Sequence, residues 1–438
     1  MTSGQSNSER AISGRAEAGH PDIDGGFAWV RLAAGLALGT IGGVGMWSFA
    51  VALPSVQAEF GVSRGEASIP YAAIMLGFGF GGIIMGRLSD RVGIFLPVLI
   101  GAIMLGIGYS LAGLAQSLLQ FTLAQGLLIG LLGSATVFGP LMADISRWFV
   151  KRRGLAIGIC ASGNYLAGTF WPPVVQHFIE TSGWRATHIG IGLFCVAAML
   201  PLSLLMRRSA PPPPAPVFSA DGIAMPEIEP KALSPGVMMA LLSIAGFACC
   251  MAMAMPQVHL VAYCGDLGYG PARGAQMLSL MMAMGVISRL VSGWICDRIG
   301  GLATLLAGSV LQGLALLLYL PFDGLASLFL ISAMFGLFQG GIVPSYTIIV
   351  REYFPAREAG YRIGFVLFAT LVGMAVGGWS SGKIYDLTNS YQAAFVHGIA
   401  WNLVNGAIVI WLMWRLGRPR REAARAQVLA EQPRAVTT

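Results

Sequence analysis

One arginine stands inside a long apolar run, and its side chain is the first candidate for binding chemistry. Arg289 lies shortly before Gly293, with apolar residues on both sides. A charged group in such a run is costly and is a functional candidate by default. The planar guanidinium matches a carboxylate through two parallel N–H donors, so Arg289 is predicted to bind an organic anion. The alternative is that the side chain extends to lipid headgroups near the end of the run.

Other polar residues inside apolar runs could line the same cavity. For His259 two interpretations stay open: it binds a ligand or carries a proton, or it only bonds to a neighbouring helix at the cavity rim. Arg31 stands near the start of the first apolar run, and extension to the headgroups explains it best. The remaining candidates for ligand binding are uncharged: Asn164, Tyr165, Gln339 and Tyr346.

No residue pattern points to an enzyme, a metal or a cofactor. The six cysteines lie mostly in apolar stretches and lack the spacing of metal ligands. There is no nucleophile–base group and no phosphate-binding loop. Asp and Glu do not occur near the middle of any long apolar run. We therefore expect neither catalytic residues nor a cofactor.

The elements that must position Arg289 are membrane-spanning helices. The 438 residues are 55% hydrophobic and 11% charged, whereas a soluble domain needs about 25% charged residues to cover its surface. Runs of about twenty apolar residues span a bilayer as helices. Twelve such runs are predicted in the sequence: 27–53, 68–86, 94–115, 118–142, 154–178, 185–206, 236–263, 272–294, 301–321, 325–349, 361–384 and 393–415.

Polar segments divide the chain into five predicted regions. A bundle of six helices at 24–206 and a second at 235–415 are joined by a proline-rich linker at 207–234. Tails of 1–23 and 416–438 flank them. The formal charge of +7 is carried in short loops between apolar runs, which favours membrane lipid over nucleic acid as the partner.

Basic residues are unequally shared between the two sets of loops. Most loop Lys and Arg fall in 87–93, 143–153, 207–234, 295–300 and 350–362, and few fall in the loops of the other face. Because the basic loops of a membrane protein face the cytoplasm, both termini and the linker are predicted to be cytoplasmic. We expect a multi-pass protein of the cell (inner) membrane.

An internal repeat relates the two halves of the chain. Gly86–Gly93 and Gly293–Gly300 share the pattern G-x-x-x-D-R-x-G, each after the second span of its half. Two such halves with a site between them are the architecture of alternating-access carriers. Charged loop residues would form and break contacts as the halves move, or would serve topology alone; the gating candidates are Asp90, Arg91, Arg152, Arg153, Asp297 and Arg298.

These loops resemble the signature loop of the major facilitator superfamily. Two further segments resemble its monocarboxylate porter branch, which includes oxalate–formate antiporters: Asp24–Trp29 and Trp148–Gly158. The resemblance implies an all-α fold of twelve transmembrane helices in two pseudo-symmetric bundles. It also implies that an arginine at the place of Arg289 contacts the substrate carboxylate.

The sequence departs from that branch at the proton-relay residues. Proton-coupled members of the branch have a carboxylate one turn before the arginine, where this chain has Gly285, and a lysine in the first span, where it has Trp47. The resemblance therefore leaves proton symport, exchange and uniport open.

The predicted function is secondary transport of a small organic anion, a mono- or dicarboxylate, by rocking of the two halves. A coupling proton or a counter-substrate would be a further partner, and the protein is expected to be monomeric. Two alternatives stay open: export of a hydrophobic small molecule, and a membrane sensor that binds a solute without transporting it.

Overall fold

The computed structural model describes residues 23–208 and 233–431, which are almost entirely helical. Eleven helices in these ranges are long and apolar enough to cross a membrane. One of them, Arg153–Leu204, has 52 residues and is interrupted at Gly183, where φ is 77° and ψ is 157°. It therefore comprises two spans, and the prediction of twelve spans is confirmed.

We number the spans α1 to α12. Gly183 divides the fifth helix into α5 (153–182) and α6 (184–204). The others are α1 (Gly26–Phe60), α2 (Arg64–Val92), α3 (Phe95–Leu114), α4 (Leu118–Trp148), α7 (Pro235–Asp266), α8 (Pro271–Ile299), α9 (Gly301–Leu318), α10 (Leu325–Tyr353), α11 (Glu358–Thr388) and α12 (Tyr391–Leu416).

The predicted linker 207–234 and the predicted tails 1–23 and 416–438 lie partly or wholly outside the described residues. The assignment of these three segments as separate regions stays a prediction, as do the bounds of the two predicted bundles.

The two copies of the repeat end their helices in the same way. Gly93 closes α2 at φ 81° and Gly300 closes α8 at φ 82°. Their backbone N–H groups donate to Ser89 O and Cys296 O. A side chain is disfavoured at positive φ, so the last glycine of each repeat is explained by this turn.

Glycines allow the helices of the first half to approach closely. A Cβ added at Gly77 in α2 would lie 2.2 Å from Gly126 O, and one at Gly81 would lie 2.1 Å from Leu131 O. Both of these oxygens belong to α4, whose segment Ala124–Gly133 is a π-helix. Backbone packing of this kind is typical of membrane helices, which gain little from hydrophobic burial against one another.

The helices pack within each half and meet along two seams between the halves. α3 packs on α6 and α1 on α5, while α7 packs on α11 and α12. The seams are formed by α2 with α11 and by α5 with α8. A cavity lies between these two seams.

The two segments that carry the branch resemblance contact each other. Asp24 donates its N–H to Trp148 O at 3.0 Å, and its Oδ2 accepts from the N–H groups of Val150 and Lys151. The rings of Phe27 and Trp148 are 5.3 Å apart. The start of α1 is thereby fastened to the turn between α4 and α5.

Candidate anion-binding cavity

The cavity between the halves has a volume of about 630 Å³. Its mouth includes Arg87 and Asp90 and lies on the face that carries the repeated loops, which we call the repeat face. Its wall is mostly apolar and aromatic. The lining includes Met46, Phe78, Phe138, Met253, Phe368, Leu371 and Met374.

Arg289 lines this cavity with hydrogen-bonding capacity to spare. Its guanidinium carbon lies 4.2 Å from the centre of the Tyr165 ring. Nη1 donates to Ala161 O at 3.1 Å, and Nε is buried without a hydrogen-bond partner. In the part of the chain that the structure describes, Arg289 has no carboxylate partner. The guanidinium charge at the cavity wall is therefore not neutralised by a carboxylate among the described residues.

Aromatic rings fill the region where a proton relay would be expected from the resemblance. Gly285, one turn before Arg289, faces the Tyr165 ring so closely that an added Cβ would lie 2.3 Å from its Cε1. Trp47 Nε1 donates to Asn164 O at 3.0 Å and to Asn164 Oδ1 at 3.1 Å. Asn164, Tyr165 and Trp47 all line the cavity together with Arg289.

Three predicted binding residues lie away from the cavity wall. His259 is fully buried; its Nε2 is 2.8 Å from Gly378 O and its Nδ1 is 3.3 Å from Tyr391 Oη. Tyr346 is fully buried and donates to Asn405 Oδ1 at 3.4 Å.

Gln339 is also buried and does not line the cavity itself, but it is bonded to a residue that does. Its Oε1 accepts from Gln257 Nε2 at 2.9 Å, and Gln257 is a lining residue. The two contacts of His259 are to residues of α11 and α12. They agree with the interpretation that His259 bonds to a neighbouring helix, and its role stays a prediction.

Arg31 does not extend to the headgroups, so that prediction was wrong. Its side chain is fully buried and forms two bonds to Asp144, Nε to Oδ2 at 2.7 Å and Nη2 to Oδ1 at 3.0 Å. It also donates to the carbonyl groups of residues 205, 206 and 208. A carboxylate on α4 and the carbonyls that follow α6 satisfy the guanidinium, which ties α1 to both helices.

All six gating candidates are exposed on the repeat face. Asp90 lines the mouth, Arg298 stacks on the Trp294 ring at 3.5 Å, and Arg153 donates to Ser146 Oγ at 3.3 Å. Within the described ranges no ion pair joins any of the six to the other half. Their gating role stays a prediction. The candidates are Asp90, Arg91, Arg152, Arg153, Asp297 and Arg298.

The face opposite to the repeat face is closed by a charged cluster that the sequence analysis missed. Arg64, at the start of α2, contacts Asp266 at the end of α7 through Nη1 at 3.1 Å and Nη2 at 3.3 Å. Nη1 also donates to Tyr391 Oη of α12 at 2.5 Å. The Asp386 carboxylate of α11 accepts from the backbone N–H groups of Arg64 and Gly65, each at 2.8 Å.

We call Arg64, Asp266, Asp386 and Tyr391 the far-face cluster. It joins the two halves at one end while the cavity opens at the other. The sequence does place residues of opposite charge at the ends of α2, α7 and α11, and this could have indicated the cluster. Nothing in the sequence pairs residues that are 202 and 327 positions apart.

Twelve membrane helices in two halves around a central cavity define a membrane carrier rather than an enzyme. The family model described as Major Facilitator Superfamily matches residues 35–325 and 302–436. The chain belongs to this superfamily, and the predicted fold class is confirmed.

Curated relatives at low identity are transporters. Monocarboxylate transporter 13 of Rattus norvegicus is 28% identical, with 89% of this chain and 90% of the relative covered. Monocarboxylate transporter 11 of Homo sapiens is 26% identical, with 90% and 82% covered. The MFS-type transporter pynF of Aspergillus niger is 25% identical, with 78% and 77% covered.

Solved transporter structures share the fold. A peptide transporter POT in complex with sulfate has a TM-score of 0.70 at 16% identity, with 89% of this chain and 95% of that chain covered. A bacterial homolog of the human lysosomal transporter Spinster, in an inward-facing and unoccupied conformation, has a TM-score of 0.65 at 14% identity, with 90% and 96% covered.

Proposed function

We propose that this protein transports an organic monocarboxylate with a sizeable apolar body. The observation that carries the proposal is Arg289, which lines the cavity between the halves and has no carboxylate partner among the described residues. A carboxylate beside this guanidinium would accept the free N–H donors and neutralise the charge. The names of the monocarboxylate transporter relatives agree with such a substrate.

The cavity wall favours one carboxylate over two. Among its described lining residues, the only cation deeper than the mouth is Arg289, and the rest of the wall is largely apolar. The second carboxylate of a dicarboxylate would be desolvated against apolar side chains, which is unfavourable. An aromatic or branched body would instead pack against rings such as Phe78 and Phe368. A neutral hydrophobic compound would leave Arg289 without a counter-charge, which disfavours the alternative of hydrophobic export.

The transport step would be a change in which face of the cavity is open. The repeat face carries most of the loop Lys and Arg, so we assign it to the cytoplasm and the far face to the outside of a cell membrane. The conformation described above is then open to the cytoplasm and closed externally by the far-face cluster. Rocking of the halves about the central site would expose the substrate to the other side.

Purified protein and two substitutions of Arg289 test the proposal. Phenylpyruvate should stabilise the wild type against thermal unfolding in detergent, because a ligand of the folded form raises its apparent stability. Pyruvate should do so less, for lack of an apolar body, and succinate least. Arg289→Gln should abolish the stabilisation, whereas Arg289→Lys keeps the charge and should retain part of it.

Arg273→Gln is the control, because Arg273 is exposed on the far face and donates to Gln276 in its own turn. It should bind phenylpyruvate as the wild type does. Undiminished stabilisation of a well-folded Arg289→Gln protein would refute the assignment of Arg289. Equal stabilisation by succinate would refute the preference for one carboxylate.

A further inference from the structure

We propose that a groove on the membrane-facing side of the first half binds one acyl chain of a phospholipid. The groove lies between α1, α5 and α6 and has a volume of about 590 Å³, within the range of about 300 to 1,000 Å³ that is usual for small-molecule sites. Among the described residues, none lines both this groove and the central cavity. The groove is therefore a second site, and the proposal does not rest on the proposed function.

The groove exists because α6 carries small residues where it faces α5. Ala186 and Gly190 are one helical turn apart and both line the groove. A Cβ added at Gly190 would meet no neighbouring atom within 4 Å, whereas one at Gly192 would lie 2.8 Å from Gly106 O of α3. The helix α6 is thus closely packed toward α3 and leaves a gap toward α5.

The groove opens sideways into the bilayer. Three phenylalanines of its lining keep about half of their surface exposed, at 59% for Phe170, 51% for Phe178 and 49% for Phe194. All three lie within membrane spans, where the surrounding medium is lipid hydrocarbon rather than water. Since an exposed apolar surface at this depth is covered by lipid, the occupant of the groove comes from the bilayer.

The polar side chains along the groove are already hydrogen-bonded, and none of its described lining residues is charged. The hydroxyl groups of Thr40 and Thr187 donate to the carbonyl groups of Leu36 and Gly183 in their own helices. Trp171 Nε1 donates to Thr40 O at 2.9 Å. A polar compound would lose its hydration in the groove without compensation. A hydrocarbon chain has no such loss and is the chemistry that fits.

The length of the groove matches one leaflet of a bilayer. Ser182, the last residue of α5, lies at its far-face end, and Phe170 lies twelve residues deeper. At 1.5 Å per residue this separation is about 18 Å, against about 15 Å for half of a hydrocarbon core about 30 Å thick. A chain from the far-face leaflet would therefore lie along the groove, with its ester near Ser182 and its methyl end near Phe170.

The charged residues nearest to Ser182 in the sequence, Glu180 and Arg185, both have partners. Glu180 Oε1 accepts from Gln176 Nε2 at 2.9 Å, and Arg185 Nε pairs with Glu59 Oε1 at 2.7 Å. No charge at this end is thus left to select a headgroup of one sign. The site recognises the chain, and zwitterionic phosphatidylcholine is a suitable probe.

Photolabelling of the full-length protein in proteoliposomes tests the proposal. Two phosphatidylcholine probes would carry a diazirine, one near the methyl end of an acyl chain and one near its ester, and mass spectrometry would locate the labelled residues. The methyl-end probe should label the chain around Phe170 about tenfold more strongly than around Leu403, which is 66% exposed on α12; this ratio corresponds to a preference of about 1.4 kcal/mol over bulk lipid. The ester-end probe should label around Phe178 and Ser182. Equal labelling around Phe170 and Leu403, or the reverse order of the two probes, would overturn the proposal.

Filling the groove makes the test specific. Gly190→Phe places a ring in the gap and should lower labelling around Phe170 to the level around Leu403. Gly406→Phe is the matched control, because Gly406 lies in a span outside the groove and an added Cβ there also meets no atom within 4 Å. It should be labelled as the wild type is. Ala186→Phe blocks the same groove if Gly190→Phe does not fold, and unchanged labelling in either folded variant would overturn the proposal.

Other occupants of the groove give different results. Labelling around Phe170 by a diazirine sterol that excess phosphatidylcholine does not reduce would identify a sterol site and overturn the acyl chain as occupant. A disulfide-linked dimer formed by Gly190→Cys in the bilayer would identify a second copy of the chain in the groove and overturn it as well. Neither result would alter the proposed function, because Arg289 lies in the other cavity.

Discussion

Replacing Arg64 should open the external face of the carrier. Its guanidinium holds Asp266 and Tyr391 of the other half, and the substitution Arg64→Gln removes these contacts while leaving the backbone bonds to Asp386. The Asp266 side chain is 34% exposed, so the ion pair contributes only about 1 kcal/mol. The buried bond to Tyr391 contributes about 1.5 kcal/mol more. Stacking on Tyr385, at 4.7 Å, adds about 0.5 kcal/mol.

These contributions total about 3 kcal/mol, which corresponds to a shift of about a hundredfold in the equilibrium between the two open forms. Spin labels at Gln116 and Asp323, exposed in far-face loops of different halves, would report the distance between the halves. We expect a long-distance population in Arg64→Gln that is absent or minor in the wild type.

Arg185→Gln is the matched control for this measurement. It breaks a more exposed ion pair on the same face, Arg185 Nε to Glu59 Oε1 at 2.7 Å, and both partners belong to the first half. The distance distribution should therefore stay as in the wild type. An unchanged distribution in a folded Arg64→Gln protein, or an equal shift in Arg185→Gln, would refute the reasoning.

Three further predictions concern one substitution beside the site and two at contacts that hold the ends of helices. Asp144→Asn should lower the free energy of unfolding by about 3 kcal/mol or more, since it leaves buried Arg31 without a counter-charge. Thermal unfolding in detergent measures this loss of stability. A loss below about 1 kcal/mol would contradict the prediction. Gly285→Ala should weaken phenylpyruvate binding about tenfold or more, because the new methyl group displaces the Tyr165 ring from Arg289. Overpacking of this kind costs about 1–3 kcal/mol of free energy. An unaltered affinity, measured by titration, would exclude this effect. Asp24→Asn should speed cleavage of the turn after α4 by a protease, because weaker acceptance by the Asp24 side chain loosens the turn; an unchanged cleavage rate would show that the ring contacts hold it alone.

The secondary structure was predictable because membrane helices are specified by local composition. Each span needs about twenty apolar residues whatever its neighbours are, and the predicted 94–115 became Phe95–Leu114. The repeat was likewise local: its final glycine is required by the positive φ at residues 93 and 300. The importance of Arg289 followed from the cost of a charge in an apolar run.

The environment of each polar side chain was decided by the tertiary structure alone. His259, Tyr346 and Arg289 all lie in apolar helices, yet only Arg289 lines the cavity. In a bilayer a helix can be apolar on every side, so the sequence pattern does not reveal which side meets a cavity and which meets another helix.

Ion pairs between distant helices could not be predicted from the sequence either. Arg31 pairs with Asp144, which is 113 positions away in the sequence. Arg64 pairs with Asp266, which is 202 positions away. Composition and spacing determined that this chain forms twelve membrane helices and that Arg289 stands inside an apolar run. The packing of the two halves determined that, among the described residues, Arg289 lines a cavity without a carboxylate partner whereas Arg31 and Arg64 are paired, because complementary charges meet only when distant helices are brought together.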